Sequence, residues 1–331
     1  MKAGRSKTAK YWKEKSHNMV QALKKIDIRN NIVYVGVVVV FILFALMLSG
    51  KGFTSTVNLL NILRQSSIII VMAMAMTFVI GAAEIDLSVG SIAGLASVAP
   101  AMAIARFGIV AGVFAGLLVG VLCGVTNGLL VARAKIPSFL VTLATMGITV
   151  GVAQWITNSS PQPILDANYN FIFGGGQIGI FPVIIIWALV FFIIGVIILG
   201  KTRFGKHTLA VGANPLAAKY SGIDVTKIRF SVMFSSAMCA AVAGMLYAGR
   251  LQSGRFQWGD GDEMNVIAAV ILGGTALSGG RGSAVGAAAG AILMAMINNG
   301  LILAGLSSAQ QQVVRGIIIV LAVALAKRNN D

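Results

Sequence analysis

The sequence predicts an all-α integral membrane protein of about ten transmembrane helices, with broken or re-entrant helices and an internal duplication. Three observations predict it. First, 57% of the 331 residues are hydrophobic and 11% are charged, with a mean hydropathy of +0.88. Soluble domains carry about 25% charged residues. No soluble core hides so much apolar surface, so the bilayer is the solvent for most of the chain. Second, the apolar residues come in runs close to the roughly 20 residues that cross a hydrocarbon layer as helix. Third, Lys and Arg are distributed unevenly between the connecting segments.

The apolar runs are 32–50, 66–84, 87–105, 109–131, 138–157, 181–199, 230–249, 264–279, 284–304 and 311–326. Glycine and polar residues interrupt the third and the eighth. Residues 1–30 carry nine Lys or Arg, and the run after them is too long for a cleavable signal core. It reads as an uncleaved first span.

Basic residues accumulate on the cytoplasmic side of a membrane. With the N-terminus inside, segments 132–137, 200–229, 280–283 and 327–331 are inside too, and together with 1–30 they hold 20 of the 26 basic residues. Lys51, Arg64, Arg106, Arg250, Arg255 and Arg315 are left outside. Both termini are then cytoplasmic. The organisation is a basic N-terminal segment (1–30), a transmembrane domain (31–327) and a tail (328–331). Topology explains the net charge of +16, and no nucleic-acid partner is needed. The external side carries a loop at 158–180 without Lys or Arg and a polar segment at 250–263, which read as connectors or as landing places for a partner.

Packing motifs come next. Glycine recurs at 112, 116, 120, 124 and 128, and again at 282, 286 and 290. Such stripes let helix backbones approach closely where lipid supplies no hydrophobic drive. Cys123 and Cys239 lie in apolar runs with no metal or disulfide spacing and read as small packed residues.

Two segments carry polar groups at membrane depth. "GAAEIDLSVGSIAG" (81–94) contains Glu84 and Asp86, and intramembrane acids are costly. Its Gly, Ser and Ala content suits a break between helices, with Ser88 capping the second and Asp86 at its positive end. "GGTALSGGRGS" (273–283) has the spacing of a phosphate loop from Gly274 to Gly279, but Gly280 and Arg281 stand where Lys and Ser or Thr are required. It reads as a second break, with Gly273, Gly274 and Ser278 at the turn. "LSVGSIAG" in the first echoes "LSGGRGSAVG" in the second, which is the basis for an internal duplication. Further polar groups within the spans, Asn127, Thr142, Thr145, Asn298 and Asn299, are candidates to line a path. There is no catalytic set, no metal-ligand spacing and no nucleotide-binding loop, so neither catalysis nor a cofactor is expected of the chain itself.

The inside segment 200–229 contains "GANPLAAKYSGI" (212–223). Asn214 suits an N-cap, Pro215 the first helical position, and Gly222 a C-terminal stop. Leu216, Ala217, Ala218, Lys219 and Tyr220 favour helix. A helix this short is unstable alone in water, so something must pack on it: its own spans, or a cleft on a cytoplasmic partner.

These blocks, with "VIAAVILGGTALSGGRGS" (266–283) and "QQQVVRGIIIVLAV" (310–323), resemble the permease subunits of bacterial ATP-binding-cassette importers for monosaccharides, the ribose-type branch. The resemblance covers 30–327. Ala83-Glu84 departs from it, since that family usually has two glycines there. The resemblance implies import of ribose or a related sugar delivered by an extracytoplasmic binding protein. It also implies a second permease subunit and a separate ATPase that binds the ATP. The short helix becomes a coupling helix, with Asn214, Pro215, Leu216, Ala217, Ala218, Lys219, Ser221 and Gly222 at the ATPase. The residues alone also admit an ion-coupled secondary carrier using Glu84 and Asp86.

Overall fold

The structure is a computed structural model that describes residues 32–328. The basic segment 1–30 and residues 329–331 of the tail lie outside the described residues. The described helices are α1 (Ile32–Met47), α2 (Thr56–Gly81), α3 (Val89–Ala132), α4 (Ser138–Thr157), α5 (Ala167–Asn170), α6 (Val183–Lys201), α7 (Arg203–Ala213), α8 (Pro215–Tyr220), α9 (Val225–Leu251), α10 (Asp262–Leu272), α11 (Ala284–Ala304) and α12 (Ser308–Arg328). Two minimal antiparallel pairs are the only described strands: Gln162–Pro163 with Ser253–Gly254, and Gln177–Ile178 with Phe181–Pro182.

Six helices are long and apolar enough to cross a membrane by length and composition: α2, α3, α4, α6, α9 and α11. Runs 32–50 and 311–326 fall in α1 and α12, which are not among the six, and the fold departs from ten separate spans in two further places. Runs 87–105 and 109–131 form one 44-residue helix interrupted at Gly108, whose φ of 81° and ψ of 179° are not helical. The chain folds back there. A Cβ added at Gly116 would lie 3.0 Å from Pro100 Cγ, whereas a straight helix would hold those residues about 24 Å apart at 1.5 Å per residue. The second departure is run 264–279. Its helix, α10, has 11 residues, about 16 Å or half of the ~30 Å hydrocarbon layer. The rest of the run is the loop at 273–283.

α9 lies against the second arm of α3, and the glycine ridge is the seat. A Cβ at Gly116, Gly120, Gly124 or Gly128 would come within 3.0 Å of Met245, Ala241, Phe234 and Phe230, respectively. The ridge therefore serves packing within one bundle. On the other arm, a Cβ at Gly244 would stand 2.2 Å from the Ala93 carbonyl oxygen. Gly286 and Gly290 seat α11 on Gly273 and Ala269 of α10 in the same way, at 1.8 Å and 2.1 Å from their carbonyl oxygens. Gly282 departs from this role, since its added Cβ meets nothing closer than 3.4 Å.

The segments that the charge distribution assigns to one side come together at one end of the bundle. The Gly280 N–H donates to the Gly81 carbonyl at 3.0 Å, the Ile85 N–H donates to Ser138 Oγ at 3.0 Å, and a Cβ at Gly212 would stand 2.0 Å from the Gly81 carbonyl oxygen. We refer to it as the basic end. The segment 250–263 is not a simple connector. It descends beside the first arm of α3, with Gly254 against the Ser97 carbonyl, Gly94 against that of Phe256 and Gly90 against that of Gly259. The Ser97 hydroxyl donates to the Arg255 carbonyl at 3.0 Å and accepts from its N–H at 3.1 Å. This is the re-entrant element, and it brings the start of α10 to the start of α3.

A paired substitution tests the seam. Gly244→Leu should lower the melting temperature and yield in detergent sharply, since overpacking costs about 1–3 kcal/mol or more. Gly147→Leu, with nothing within 4 Å of its Cβ position, should leave both unchanged in the same fluorescence melting assay.

Candidate functional site

The segment between α6 and α9 is built from caps. Thr202 Oγ1 accepts the Gly205 N–H at 3.2 Å and starts α7. Asn214 Oδ1 accepts from Leu216 and Ala217, each at 3.0 Å, and Pro215 follows at the first helical position. At the other end the Ile223 N–H donates to the Ala218 carbonyl and the Gly222 N–H to that of Lys219, both at 3.0 Å. Gly222 has φ +82°. This is the paired-bond helix stop that favours glycine at its left-handed position. Asp224 then caps α9 through Lys227 N at 3.0 Å, a bond that holds its carboxyl below the usual carboxylate range. Its 3.4 Å ion pair with the Lys227 ammonium is exposed and adds little.

α8 thus keeps its shape although it is six residues long. Its one buried side chain is Ala218, 4% exposed. This corrects the expectation that Ala218 belongs to a partner-facing surface: it anchors α8 to its own bundle. Leu216 and Tyr220 are 67% and 90% exposed, and Ala217, Lys219 and Ser221 are exposed with them. Tyr220 therefore joins the outward face. Exposed apolar groups of this size on so short a helix mark an interaction surface. Behind it, α7 ends against both break loops: Gly212 abuts Gly81 and Gly280, and Gly280 abuts Ala213.

The first break, 82–88, leaves backbone N–H groups without helical partners, and α4 supplies acceptors. Ser138 Oγ takes the Ile85 N–H at 3.0 Å and Thr142 Oγ1 takes that of Leu87 at 3.1 Å. Asp86 is fully buried, and its Oδ1 accepts the Ser88 N–H at 2.8 Å and the Ser88 hydroxyl at 2.6 Å. Ser88 Oγ accepts from Asn127 Nδ2 at 3.2 Å, and Asn127 Oδ1 accepts the Thr145 hydroxyl at 2.6 Å. Ser88 stands at the N-cap position of α3, but its side chain makes no capping bond, because it is turned to Asp86. Glu84 is nine-tenths buried, and Arg229 Nε lies 2.8 Å from its Oε1. They form an ion pair by distance, with the N–H not aimed at the oxygen.

The other expected path groups are dispersed. Asn58 Nδ2 donates to Asn299 Oδ1 at 3.0 Å and Asn299 Nδ2 donates to Asn58 Oδ1 at 2.9 Å, which ties α11 to α2. Asn298 is buried beside it in the chain, and its Oδ1 has no partner among the described residues. At the second break, Gly273 is the crossing point with Gly286, Gly274 has φ +92°, and Ser278 is exposed at the loop tip. Asn127, Thr142 and Thr145 are engaged in holding the first break. One polar group escaped sequence reasoning, the set around Asp262 and Glu263 at the start of α10. It read as an outside segment because polarity does not reveal that a loop turns back into a bundle.

The family model for the permease component of branched-chain amino acid transport systems matches residues 58–323. The chain belongs to this permease family. The permease is 40% identical over 299 residues to the ribose import permease protein RbsC of Bacillus subtilis, covering 90% of this chain and 92% of that one. It is 42% identical over 289 residues to the probable ABC transporter permease protein YphD of Escherichia coli, covering 87% and 86%. It is 35% identical over 293 residues to the L-arabinose ABC transporter permease protein AraH of Azospirillum brasilense, covering 87% and 86%. No solved structure matches the permease. It is a multi-pass membrane subunit of a transport system and not an enzyme. The reading of Glu84 and Asp86 as the ion-coupling pair of a stand-alone carrier gives way to this membership.

Asn127→Leu should leave Ser88 and Thr145 without their buried partner. A lost buried hydrogen bond of this kind costs about 1–3 kcal/mol. The check is a thermal melt of the purified permease in detergent, with a clear downward shift expected for Asn127→Leu and almost none for Ser278→Ala.

Proposed function

We propose that the permease is the membrane subunit of an ATP-driven importer for a monosaccharide, ribose or a related sugar. In this reading an extracytoplasmic binding protein delivers the sugar, and a second permease subunit completes the membrane part. ATP is bound and hydrolysed on a separate subunit that presses on α8. The basic end faces the cytoplasm, and both termini lie there, in keeping with the excess of Lys and Arg on that side. The relatives' names support the substrate class: ribose, L-arabinose and, at 30% identity, xylose.

The observation that carries the reading is α8 itself. It is capped at both ends, fixed by Ala218, and turns Leu216, Ala217, Lys219 and Tyr220 outward. A partner moves a protein only by binding its conformations with different affinity. A rigid projection whose root touches both break loops turns that difference in affinity into displacement of the helices those loops join. A loose loop would absorb it.

Ala217→Trp enlarges the outward face without touching the Ala218 anchor. Sugar uptake by the whole transporter should fall at least tenfold, with normal membrane insertion and with ATP hydrolysis no longer tied to uptake. Normal uptake in this variant and in Leu216→Asp would sink the assignment. Affinity purification from native membranes should bring down an ATPase and a binding protein; recovery of the permease alone contradicts the importer reading.

A further inference from the structure

The polar set at the start of α10 takes no part in the coupling surface or the first break. Asp262 and Glu263 open the helix and are 7% and 6% exposed. Asp262 accepts the Tyr247 hydroxyl on Oδ2 at 2.5 Å and Asn265 Nδ2 on Oδ1 at 3.2 Å. Asn265 is 4% exposed, and its Oδ1 has no hydrogen-bond partner among the described residues. The Glu263 carboxylate lies over Gly90, where an added Cβ would meet its Oε2 at 2.5 Å. Opposite stands Arg315 of α12, with Nη1 3.2 Å from the position of a Cβ on Gly261. Its Nε is buried and without a partner among the described residues. Yet the ion pairs of the described residues are Lys227–Asp224 and Arg229–Glu84, so neither carboxylate here reaches the guanidinium within 4.0 Å. Trp258 stacks on Tyr247 with centroids 6.5 Å apart and closes one side with aromatic surface.

The depth of this set decides its meaning. α10 is 11 residues long and ends at Gly273 against the first turn of α11, and the loop that follows reaches the basic end at Gly280. Its first residues therefore lie about 16 Å from Gly273, roughly half-way through the ~30 Å hydrocarbon layer. Ionisable groups at that depth are expensive unless paired, and by default they mark a transport path. Two carboxylates and a guanidinium are here held near one another but out of contact. A metal cation would satisfy only the carboxylates, and an anion only the arginine. A hydroxyl donates to a carboxylate and accepts from a guanidinium at once, and a sugar presents several on adjacent carbons.

We propose that Asp262, Glu263, Asn265 and Arg315 form a hydroxyl-recognising site that a monosaccharide occupies midway through the membrane, beside the aromatic surface of Tyr247 and Trp258. The proposal rests on the sugar-import reading above and adds where, and through which groups, the sugar is held in transit.

The test uses the complete transporter in proteoliposomes, with permease, ATPase and binding protein, and radiolabelled D-ribose, L-arabinose and D-xylose as probes. These three sugars differ only in the arrangement of their hydroxyls. Glu263→Gln and Arg315→Gln should each lower uptake at least tenfold in complexes that assemble normally by gel filtration. Arg315→Lys, which keeps the charge and loses the planar fork, should retain intermediate uptake and shift the ratio among the three sugars at least threefold. A smaller fall in both Gln variants, or an unchanged ratio in Arg315→Lys, overturns the site. Where the Gln variants fail to assemble, Asn265→Ala decides: lost uptake with normal assembly supports the site, and normal uptake or failed assembly overturns it. Wild-type uptake of none of the three sugars counts against the import reading, and the site falls with it.

Discussion

Every backbone N–H and C=O at membrane depth needs a partner from the protein, because lipid offers none. That constraint governs both interrupted regions of the permease. Where α2 stops and α3 has yet to begin, Ser138 and Thr142 on one face of α4 take the N–H groups of Ile85 and Leu87. Where α10 stops, the Gly280 N–H turns to the Gly81 carbonyl, so each break helps to close the other. Ser138 and Thr142 of α4 therefore act as surrogates for missing helical bonds. The first irregular segment is largely buried in the bundle, the second lies across its basic end, and together they tie α2, α4 and α7 to one another there.

Close approach of backbones is the second requirement, and glycine meets it. Gly90, Gly94, Gly244 and Gly254 let the re-entrant segment and α9 press directly on the first arm of α3, carbonyl against bare Cα. Dispersion between such surfaces replaces the hydrophobic drive that is absent between helices in lipid. The same contacts bring the starts of α3 and α10 together. A polar cluster can then form in mid-membrane from residues that lie far apart in the chain. Coupling to the basic end follows a physical chain: α8 is braced by Ala218, α7 ends on both breaks, and the breaks lead into α3 and α11.

Much of the architecture was legible in the sequence. The apolar runs, the break at 82–88 and the capped helix at 215–220 each rest on local chemistry: run length, Gly–Ser–Ala composition next to an acid, and Asn–Pro before a short helical stretch closed by glycine. Local chemistry fails where partners are distant. Nothing around Ala218 separates it from Ala217, yet one is anchored in the bundle and the other is exposed. Nothing near Asn127 or Thr145 in the chain reveals that the two bond to each other. Ser88 looks like a cap until Asp86 claims its hydroxyl.

By itself, then, the sequence determined that this is a multi-span helical membrane protein, which segments share the basic end, and where the helices are interrupted. Those properties follow from composition, length and charge, which act residue by residue. Only the tertiary structure decided that run 264–279 crosses half the membrane as helix, that segment 250–263 turns inward, and that Arg315 faces Asp262 and Glu263. Those outcomes depend on which backbones approach within contact of one another, and such distances are set by the packing of the whole bundle.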